Sequence, residues 1–221
     1  FNTTGNTNLY CIDVNNPTWS ATNWTQIDSW SIFNTNCSSI YGCTDPSACN
    51  YDSLVTTDNG SCLTDYGCTD VLALNYDPTA TCEDSSCIYE MTFVPDSEFE
   101  AYLEANGMGN GISNDEYVLT ININTVNTLY INSLNISDLT GIEDFTDLIS
   151  LSCAYNQLTS INVGNNITLE YLHCNDNQLT SLNVSGNTAL TNLNCRSNQI
   201  DTLNINNNIY LTYLDCSTNN L

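Results

Sequence analysis

Apolar residues recur at a fixed interval through the last third of the chain. Four segments begin at Leu148, Leu169, Leu190 and Leu211, and so follow one another at a constant spacing. In every segment the first, fourth and sixth residues are apolar, as in LISLSC, LEYLHC, LTNLNC and LTYLDC. A segment of this length cannot enclose a core alone, so successive segments must stack. The pattern predicts a coil in which each turn contributes one short strand to a parallel sheet.

The repeated positions read L-x-x-L-x-C-x-x-N-x-L, which resembles the leucine-rich repeat signature. The resemblance implies a solenoid, and LTGIEDFTDLISL is similar to the repeats of bacterial internalins. The second half of each turn, as in LTSLNVSGN, alternates apolar and polar residues, which favours an extended segment or a second short strand. An earlier turn from Val126 is one residue longer and places Ile131 where later turns have cysteine. We therefore expect a mainly β fold, with a leucine-rich repeat solenoid over residues 126–221.

Two columns of side chains are expected to run through this coil. The first consists of Cys153, Cys174, Cys195 and Cys216, spaced by one repeat. Neighbouring in-register residues of a parallel sheet point the same way, which is poor geometry for a disulfide, so buried and reduced thiols are expected. The second column consists of Asn156, Asn177, Asn198 and Asn219, where the chain leaves each strand. Their amides can satisfy backbone groups of the adjoining turn.

The segment ahead of the solenoid predicts a helix. In FVPDSEFEAYLEANGMG, Asp96 or Ser97 can cap the N-terminus and Gly107 can end the helix. Phe99 and Leu103 lie one helical turn apart and so share one face. The first turn of a solenoid needs a cover for its core. We therefore expect residues 91–125 to form an N-terminal cap.

The first forty residues are interpreted as the end of another solenoid. FNTTGNTNL at the start of the chain aligns with LNVSGNTAL further on, after which the period is lost. Cys11 and Cys37 enclose three tryptophans, Trp19, Trp24 and Trp30. Residues 1–40 are expected to form a C-terminal cap closed by one disulfide, similar to the ends of leucine-rich repeat domains in secreted Bacteroidetes proteins. The alternative is a carbohydrate platform built from the tryptophans.

Residues 41–90 contain one short sequence twice. GCTDPSACNYDSLVTTDNGSC and GCTDVLALNYDPTATCEDSSC follow each other closely and would form a linker between the two caps. Units of this size cannot build a core and need covalent links. The favoured pairs are Cys43–Cys62, Cys68–Cys87 and, for the two cysteines without a counterpart, Cys49–Cys82. Eight cysteines allow 105 connectivities, so the sequence leaves the pairing open.

The two copies are also acidic. Their matching acids are Asp45 and Asp70, Asp52 and Asp77, and Asp58 and Glu83. Calcium takes six to eight oxygen ligands in irregular loops, so a calcium site is one interpretation, although the EF-hand spacing is absent. The alternative is an acidic, solvated turn held by disulfides alone. The pattern GCTD…NYD…GSC resembles a short repeat of secreted Bacteroidetes surface proteins, which implies location and architecture but no activity.

The charge of the chain restricts its partners. Asp and Glu number 25 against one basic residue, Arg196, which gives a formal net charge of −24. Phosphate binding needs Lys and Arg, so nucleic acid is excluded and anionic membrane surfaces are disfavoured. No apolar run is long enough for a membrane-spanning helix, so membrane insertion is not expected. Twelve cysteines, eight of them irregularly spaced, indicate an oxidising compartment and an extracellular or cell-surface location.

The reactive side chains argue against an enzyme. The chain has one histidine, His173, and spacing alone pairs no Ser or Cys nucleophile with it. Binding is better supported, because exposed positions of the predicted strands carry aromatic and polar side chains. The candidate contact residues are Tyr155, Tyr171, His173, Arg196, Tyr213 and Asp215. The alternative is an ordinary polar sheet face without a specific ligand.

Two functions are favoured. The repeat phase at the end of the chain nearly continues into the phase at its beginning, which predicts one period of a tandem array. We expect a non-enzymatic structural or adhesive protein whose copies join end to end in a cell-surface fibre or stalk. The alternatives are a recognition module that binds a glycan or protein on its concave face, and an accessory domain of a secreted enzyme. Ser53 and Thr202 resemble O-glycosylation motifs of secreted Bacteroidetes proteins.

Overall fold

The computed structural model describes residues 2–5, 11–29, 31–37 and 40–221. The chain divides into two compact units. The first comprises Phe1–Val71 and Asn75–Cys87, and the second comprises Leu72–Leu74 and Ile88–Leu221. The predicted contribution of Trp30 lies outside the described residues.

The first unit begins with a parallel strand pair. β1 (Cys11–Asp13) is followed by α1 (Pro17–Asn23) and β2 (Ile32–Asn34), and β1 pairs with β2. The pairing joins Cys11 to Ile32, and the sequence separation of these two residues equals that of paired residues in the later repeats. Asn16 starts the helix because its side-chain oxygen accepts a hydrogen bond from the Trp19 backbone N–H at 3.0 Å.

Each of the two short repeats folds around one parallel strand pair. In the first repeat β3 (Tyr41–Gly42) pairs with β4 (Thr57–Asp58), and in the second β5 (Tyr66–Gly67) pairs with β6 (Cys82–Glu83). Both copies carry the same cross-link between equivalent loops, since Asn50 and Asn75 donate their side-chain N–H to the carbonyls of Ser61 and Ser86. Sequence repetition therefore reflects repetition of a local fold.

The second unit opens with a hairpin-like pair and a helix. Its elements are β7 (Met91–Phe93), α2 (Ser97–Ala105), β8 (Tyr117–Leu119) and the short α3 (Thr120–Ile123), with β7 antiparallel to β8. Asp96 caps α2, and Gly107 adopts a φ of +73° just past its end, as the sequence predicts. The Phe99 ring stacks on the Phe145 ring, with centroids 6.3 Å apart. The helix therefore packs its apolar face on the core of the coil.

The coil contains the remaining elements of the second unit. They are β9 (Thr128–Tyr130), a 3₁₀ helix (Ile142–Asp144), β10 (Ser150–Ser152), β11 (Tyr171–His173), β12 (Leu182–Asn183), β13 (Asn192–Asn194), β14 (Leu203–Asn204) and β15 (Tyr213–Asp215). The order β15-β13-β11-β10-β9 forms a parallel sheet of five strands within the described residues. On the other side of the coil β12 pairs in parallel with β14, which is the predicted second strand.

The register of the main sheet aligns the repeats residue for residue. Leu129, Leu151, Leu172 and Leu193 lie in one column and are almost completely buried. Cys153, Cys174 and Cys195 form the next buried column, with Ile131 at the same position in the first turn. These columns fill the interior between the two sheets and bury the apolar surface that a single turn leaves exposed.

Asparagine side chains close the coil where each strand ends. The Asn177 amide donates to the carbonyls of Cys153 and Cys174, at 3.0 and 3.1 Å, and accepts from the Leu158 N–H at 3.0 Å. Asn156, Asn198 and Asn219 make the equivalent contacts in their own turns. The predicted asparagine column therefore links each turn to its neighbour.

A further asparagine column was not anticipated from the sequence. Asn166, Asn187 and Asn208 are buried, and each donates its amide N–H to two carbonyls of the preceding turn. Their side-chain oxygens have no hydrogen-bond partner among the described residues. The signal was present in the sequence, because asparagine recurs there once in every repeat.

Candidate functional site

The exposed side of the five-stranded sheet carries most of the predicted contact residues. We call it the strand face and define it by two in-register rows. One row is Thr128, Ser150, Tyr171, Asn192 and Tyr213, and the other is Tyr130, Ser152, His173, Asn194 and Asp215. Strand alternation points both rows away from the leucine column. Backbone hydrogen bonds between all adjacent strands hold these side chains in fixed order.

Aromatic side chains on the strand face are well exposed. Tyr171 is 43 % exposed and Tyr213 is 47 % exposed, and Asn192 lies between them in the same row. Parallel strands are about 4.8 Å apart, so the two tyrosine positions are separated by about 10 Å along the row. This arrangement presents two aromatic surfaces on either side of an amide.

His173 is positioned by its neighbour on the next strand. Its Nε2 lies 2.9 Å from the Asn192 side-chain oxygen, so the ring is held between the two rows. With the Nε2 proton facing that oxygen, Nδ1 is the nitrogen that can accept from a ligand. The contact fixes the orientation of the ring.

Arg196 lies close to Asp215, the acid of the strand face. Hydrogen bonds from the hydroxyl and backbone N–H of Ser217 hold the pKa of Asp215 below its ordinary value, and nearby Arg196 lowers it further. Asp215 is therefore charged at neutral pH. Arg196 is exposed and follows β13 by two residues, so its guanidinium is available to a ligand.

Ser152 and Tyr155 stand apart from the other residues of this surface. Ser152 belongs to a row of the strand face but is only 7 % exposed, and its hydroxyl donates to the side chain of Asn132 at 2.9 Å in the longer first turn. Tyr155 is exposed but takes a position equivalent to that of Ser197, one residue past Arg196 and two turns away. Its backbone has a φ of +58°, like the equivalent residues of the neighbouring turns.

Tyr130 belongs to the strand face and was missed by the sequence reasoning. It is 62 % exposed and pairs in register with Ser152. The first turn has one residue more than the later turns, so counting along the sequence in equal repeats does not place Tyr130 beside Ser152. Alignment of Leu129 with Leu151 would have revealed it.

Most of the acids predicted to bind calcium accept hydrogen bonds from their own turns. Asp45, Asp52, Asp58, Asp77 and Glu83 each accept a hydrogen bond from the backbone N–H two residues ahead. Hydrogen bonds from Ser47 hold the pKa of Asp45 below its usual value, and those from Thr79 do the same for Asp77. Asp70 lies at the position equivalent to Asp45 in the second repeat and is half-buried.

These acids do not converge on one point in the described part of the chain. The group of three potential metal ligands found there is Cys68, Glu83 and Cys87, and both of its cysteines belong to one disulfide. Oxidised sulfur is not a thiolate ligand, so that group does not fit a metal. Calcium binding therefore stays a prediction.

The structure contains four disulfides. They join Cys11 to Cys37, Cys43 to Cys62, Cys49 to Cys82 and Cys68 to Cys87, which are the pairs that the sequence favours. The third bond links the two short repeats to each other. Cys153, Cys174, Cys195 and Cys216 are free thiols. Burial raises the pKa of Cys153 to about 12 and that of Cys195 to about 11, so these sulfurs are unreactive.

The remaining predicted sites are surface features. Ser53 and Thr202 are both exposed, and their glycosylation stays a prediction. Trp19 is 54 % exposed and meets Trp24 edge to face, with ring centroids 5.7 Å apart, so these two rings do not form a flat platform. No helix in the described ranges is long and apolar enough to cross a membrane.

Comparison with known proteins identifies the kind of fold. No protein-family model and no curated protein matches the chain. Among solved structures, the chain is similar to the functional domain of InlJ from Listeria monocytogenes, which includes a cysteine ladder. The identity is 32 % and the TM-score 0.54, over 59 % of this chain and 29 % of that one. The chain thus spans less than a third of that structure's length.

Two further solved structures are similar over part of the chain. An internalin (inlF) from Listeria monocytogenes has 20 % identity and a TM-score of 0.45, over 57 % of this chain and 44 % of that one. A leucine-rich repeat protein from Leptospira interrogans has 24 % identity and a TM-score of 0.35, over 38 % and 23 % of the two chains. The similarity to InlJ and the parallel coil together define a mainly β fold of the leucine-rich repeat kind.

Proposed function

We propose that the chain is a recognition module of a secreted or cell-surface protein, and that it binds a protein or glycan through the strand face. The observation that carries this proposal is the fixed arrangement of exposed Tyr171 and Tyr213 beside half-buried His173 on in-register strands. Tyrosine gives a large contact area at low entropic cost, and a rigid sheet needs no ordering on binding. The four disulfides support an oxidising, extracellular setting.

The net charge of the chain restricts the classes of partner that it can bind. With a net charge of −24, the molecule repels polyanions at low ionic strength. A neutral glycan or a neutral to basic protein surface is therefore favoured over an acidic one. The secreted Bacteroidetes proteins that the GCTD repeats resemble are the proposed biological setting.

Repeat-compatible substitutions provide the test of this proposal. Asparagine occurs in both rows of the strand face, at Asn192 and Asn194, so the coil accepts it there. A triple variant Y171N/H173N/Y213N should keep the fold and lose binding on arrays of glycans and extracellular proteins. Equal binding by the native chain and the variant would assign recognition to another surface.

Assembly of copies end to end is the second candidate, and with it a role as a surface fibre or stalk. The observation that favours it is the constant register in which β11, β13 and β15 follow one another, because a coil of equal turns can be continued by equal turns of another copy. Light scattering over a range of concentrations, with electron microscopy of the same sample, tests it, because a monomer at all concentrations would exclude self-assembly.

The helix α2 has the proposed role of a cap for the first turn of the coil, which its contact with Phe145 supports. Calcium binding by the short repeats remains an additional proposal that calorimetric titration of the purified protein would test. Heat of binding lost in the D77N variant would support it, and no heat at millimolar calcium would refute it.

A further inference from the structure

A shallow groove runs along a different edge of the coil, beside the N-terminal ends of the strands. It has a volume of about 530 Å³. Its lining residues are Asn127, Asp147, Ile149, Ile167, Thr168, Glu170 and Ala189. These residues occupy three rows of equivalent positions, one directly before the strands and two that precede it at the end of each turn. We call this feature the edge groove.

The edge groove exposes apolar side chains that the fold does not require. Ile167 is 64 % exposed and Ile149 is 37 % exposed. At the position of Ile167 the neighbouring turns carry Thr146 and Thr188, and at that of Ile149 two later turns carry threonine. The coil therefore forms equally well with a polar residue at either place. Adjacent apolar side chains exposed without a folding role are typical of a contact surface.

Carboxylates border the same apolar surface. Asp147 and Glu170 both line the edge groove, and neither side chain accepts a hydrogen bond or forms an ion pair within the described residues. The five acids of the short repeats that cap their own turns show the contrasting case. Two uncommitted negative charges beside an apolar groove favour a cationic partner.

A second copy of this chain cannot supply such a partner. The whole chain holds one basic residue, Arg196, against 25 acidic ones. Two copies would therefore bring carboxylates together at the groove, which costs free energy. The occupant must come from another protein.

We infer that the edge groove binds a segment of another protein in which an apolar side chain is flanked by Lys or Arg. The apolar side chain lies against Ile149 and Ile167, and the cationic groups face Asp147 and Glu170. This surface is separate from the strand face, so the two can be tested independently. Binding weakens as salt is added, because these surface charges are screened.

The test uses short peptides and methyl NMR of the whole protein. The probe is acetyl-KIKLK-amide, and the controls are acetyl-EIELE-amide and acetyl-KSKSK-amide. The probe should shift the methyl signals of Ile149 and Ile167 and leave that of Ile209 in place. Both controls should leave all three signals unchanged, since each lacks one of the two required features.

Substitution with the residue of neighbouring turns makes the test specific. I167T should lower the affinity for the probe by about tenfold, which is the loss expected when one apolar contact is removed. I209T removes an isoleucine from the equivalent position two turns on and should leave affinity unchanged. No shift with the cationic probe, equal binding of the anionic peptide, or equal loss in both variants would overturn the inference. So would a dimer of the native chain that I167T dissociates.

Discussion

The Asp96 carboxylate joins the start of α2 to the loop at Ser137. One of its oxygens accepts hydrogen bonds from the Ser137 backbone N–H and hydroxyl, both at 2.8 Å. The other accepts from the backbone N–H groups of Glu98 and Phe99, both at 3.1 Å, and so caps the helix. One side chain, distant from Ser137 in sequence, therefore both begins the helix and attaches it to the coil.

Replacement of Asp96 by alanine is expected to lower the free energy of unfolding by about 2 kcal/mol, of which about 1 kcal/mol is the lost N-cap and the rest the lost charged hydrogen bonds to the loop. Urea denaturation of the native and D96A proteins provides the measurement. D201A is the matched control, because Asp201 is exposed and its side chain accepts a hydrogen bond from its neighbour Thr202. If D96A lowers the free energy of unfolding no more than D201A does, the bridging role is contradicted.

The same side chain makes stability depend on acidity. Partial burial raises the pKa of Asp96, but hydrogen bonds from Ser137, Phe99 and Asp138 outweigh it and leave the pKa below its ordinary value. An unfolded aspartate has a pKa of about 3.9, so the folded form is stabilised above that pH. The stabilisation is lost as pH falls through the lower, folded value. The difference in melting temperature between native and D96N proteins should therefore be constant from about pH 5 to 7 and shrink below about pH 4. A difference that grows in acid would refute this assignment.

Much of this architecture could be predicted because the repeats express it many times. The constant repeat spacing determines the parallel register of Leu151, Leu172 and Leu193, and comparison of the two short repeats identifies matching cysteines. Asp96 is recognisable because a capping residue precedes an apolar face at helical spacing. In each case a local rule and the tertiary fold agree.

The features that escaped prediction depend on contacts between turns of unequal length or on side-chain direction. Ser152 is covered by Asn132 of the longer first turn, and no property of Ser152 itself indicates this. The composition of the short repeats does not reveal that acids such as Asp45 and Asp77 accept hydrogen bonds from the backbone two residues ahead. The edge groove arises from Ile149 and Ile167, whose neighbours in space come from different turns.

The two asparagine columns are expected to differ in their contribution to stability. Asn177 satisfies the Leu158 N–H and the carbonyls of Cys153 and Cys174. N177A would leave buried backbone groups unpaired and should cost about 3–4 kcal/mol. N187A removes two hydrogen bonds, but it also removes an unpaired buried oxygen. It should therefore lower the free energy of unfolding by at least about 1 kcal/mol less than N177A does.

Chemical denaturation of both variants measures the difference. N162A is the control, because Asn162 is exposed, and its cost should stay within about 0.5 kcal/mol. Equal costs for N177A and N187A would show that the unpaired oxygen of the second column is not a penalty.

The thiol column should resist alkylation in the folded protein. Burial raises the pKa of Cys174 well above its ordinary value, and Cys153 has a pKa of about 12 for the same reason. Cys216 is only partly buried. Iodoacetamide at about pH 8 should therefore modify Cys216 first and leave Cys153 and Cys174 intact, as peptide mass spectrometry would show. In denaturant all four free thiols should react. Alkylation of Cys174 as fast as Cys216 under native conditions would contradict the buried column.

The strand face is the centre of the functional account, and one measurement tests it most directly. The native chain and the Y171N/H173N/Y213N variant are applied side by side to the same array of glycans and extracellular proteins, after circular dichroism shows equal folding. The account predicts at least one partner that binds the native chain and loses tenfold or more affinity for the variant. An array on which no partner loses affinity for the variant would contradict the central claim.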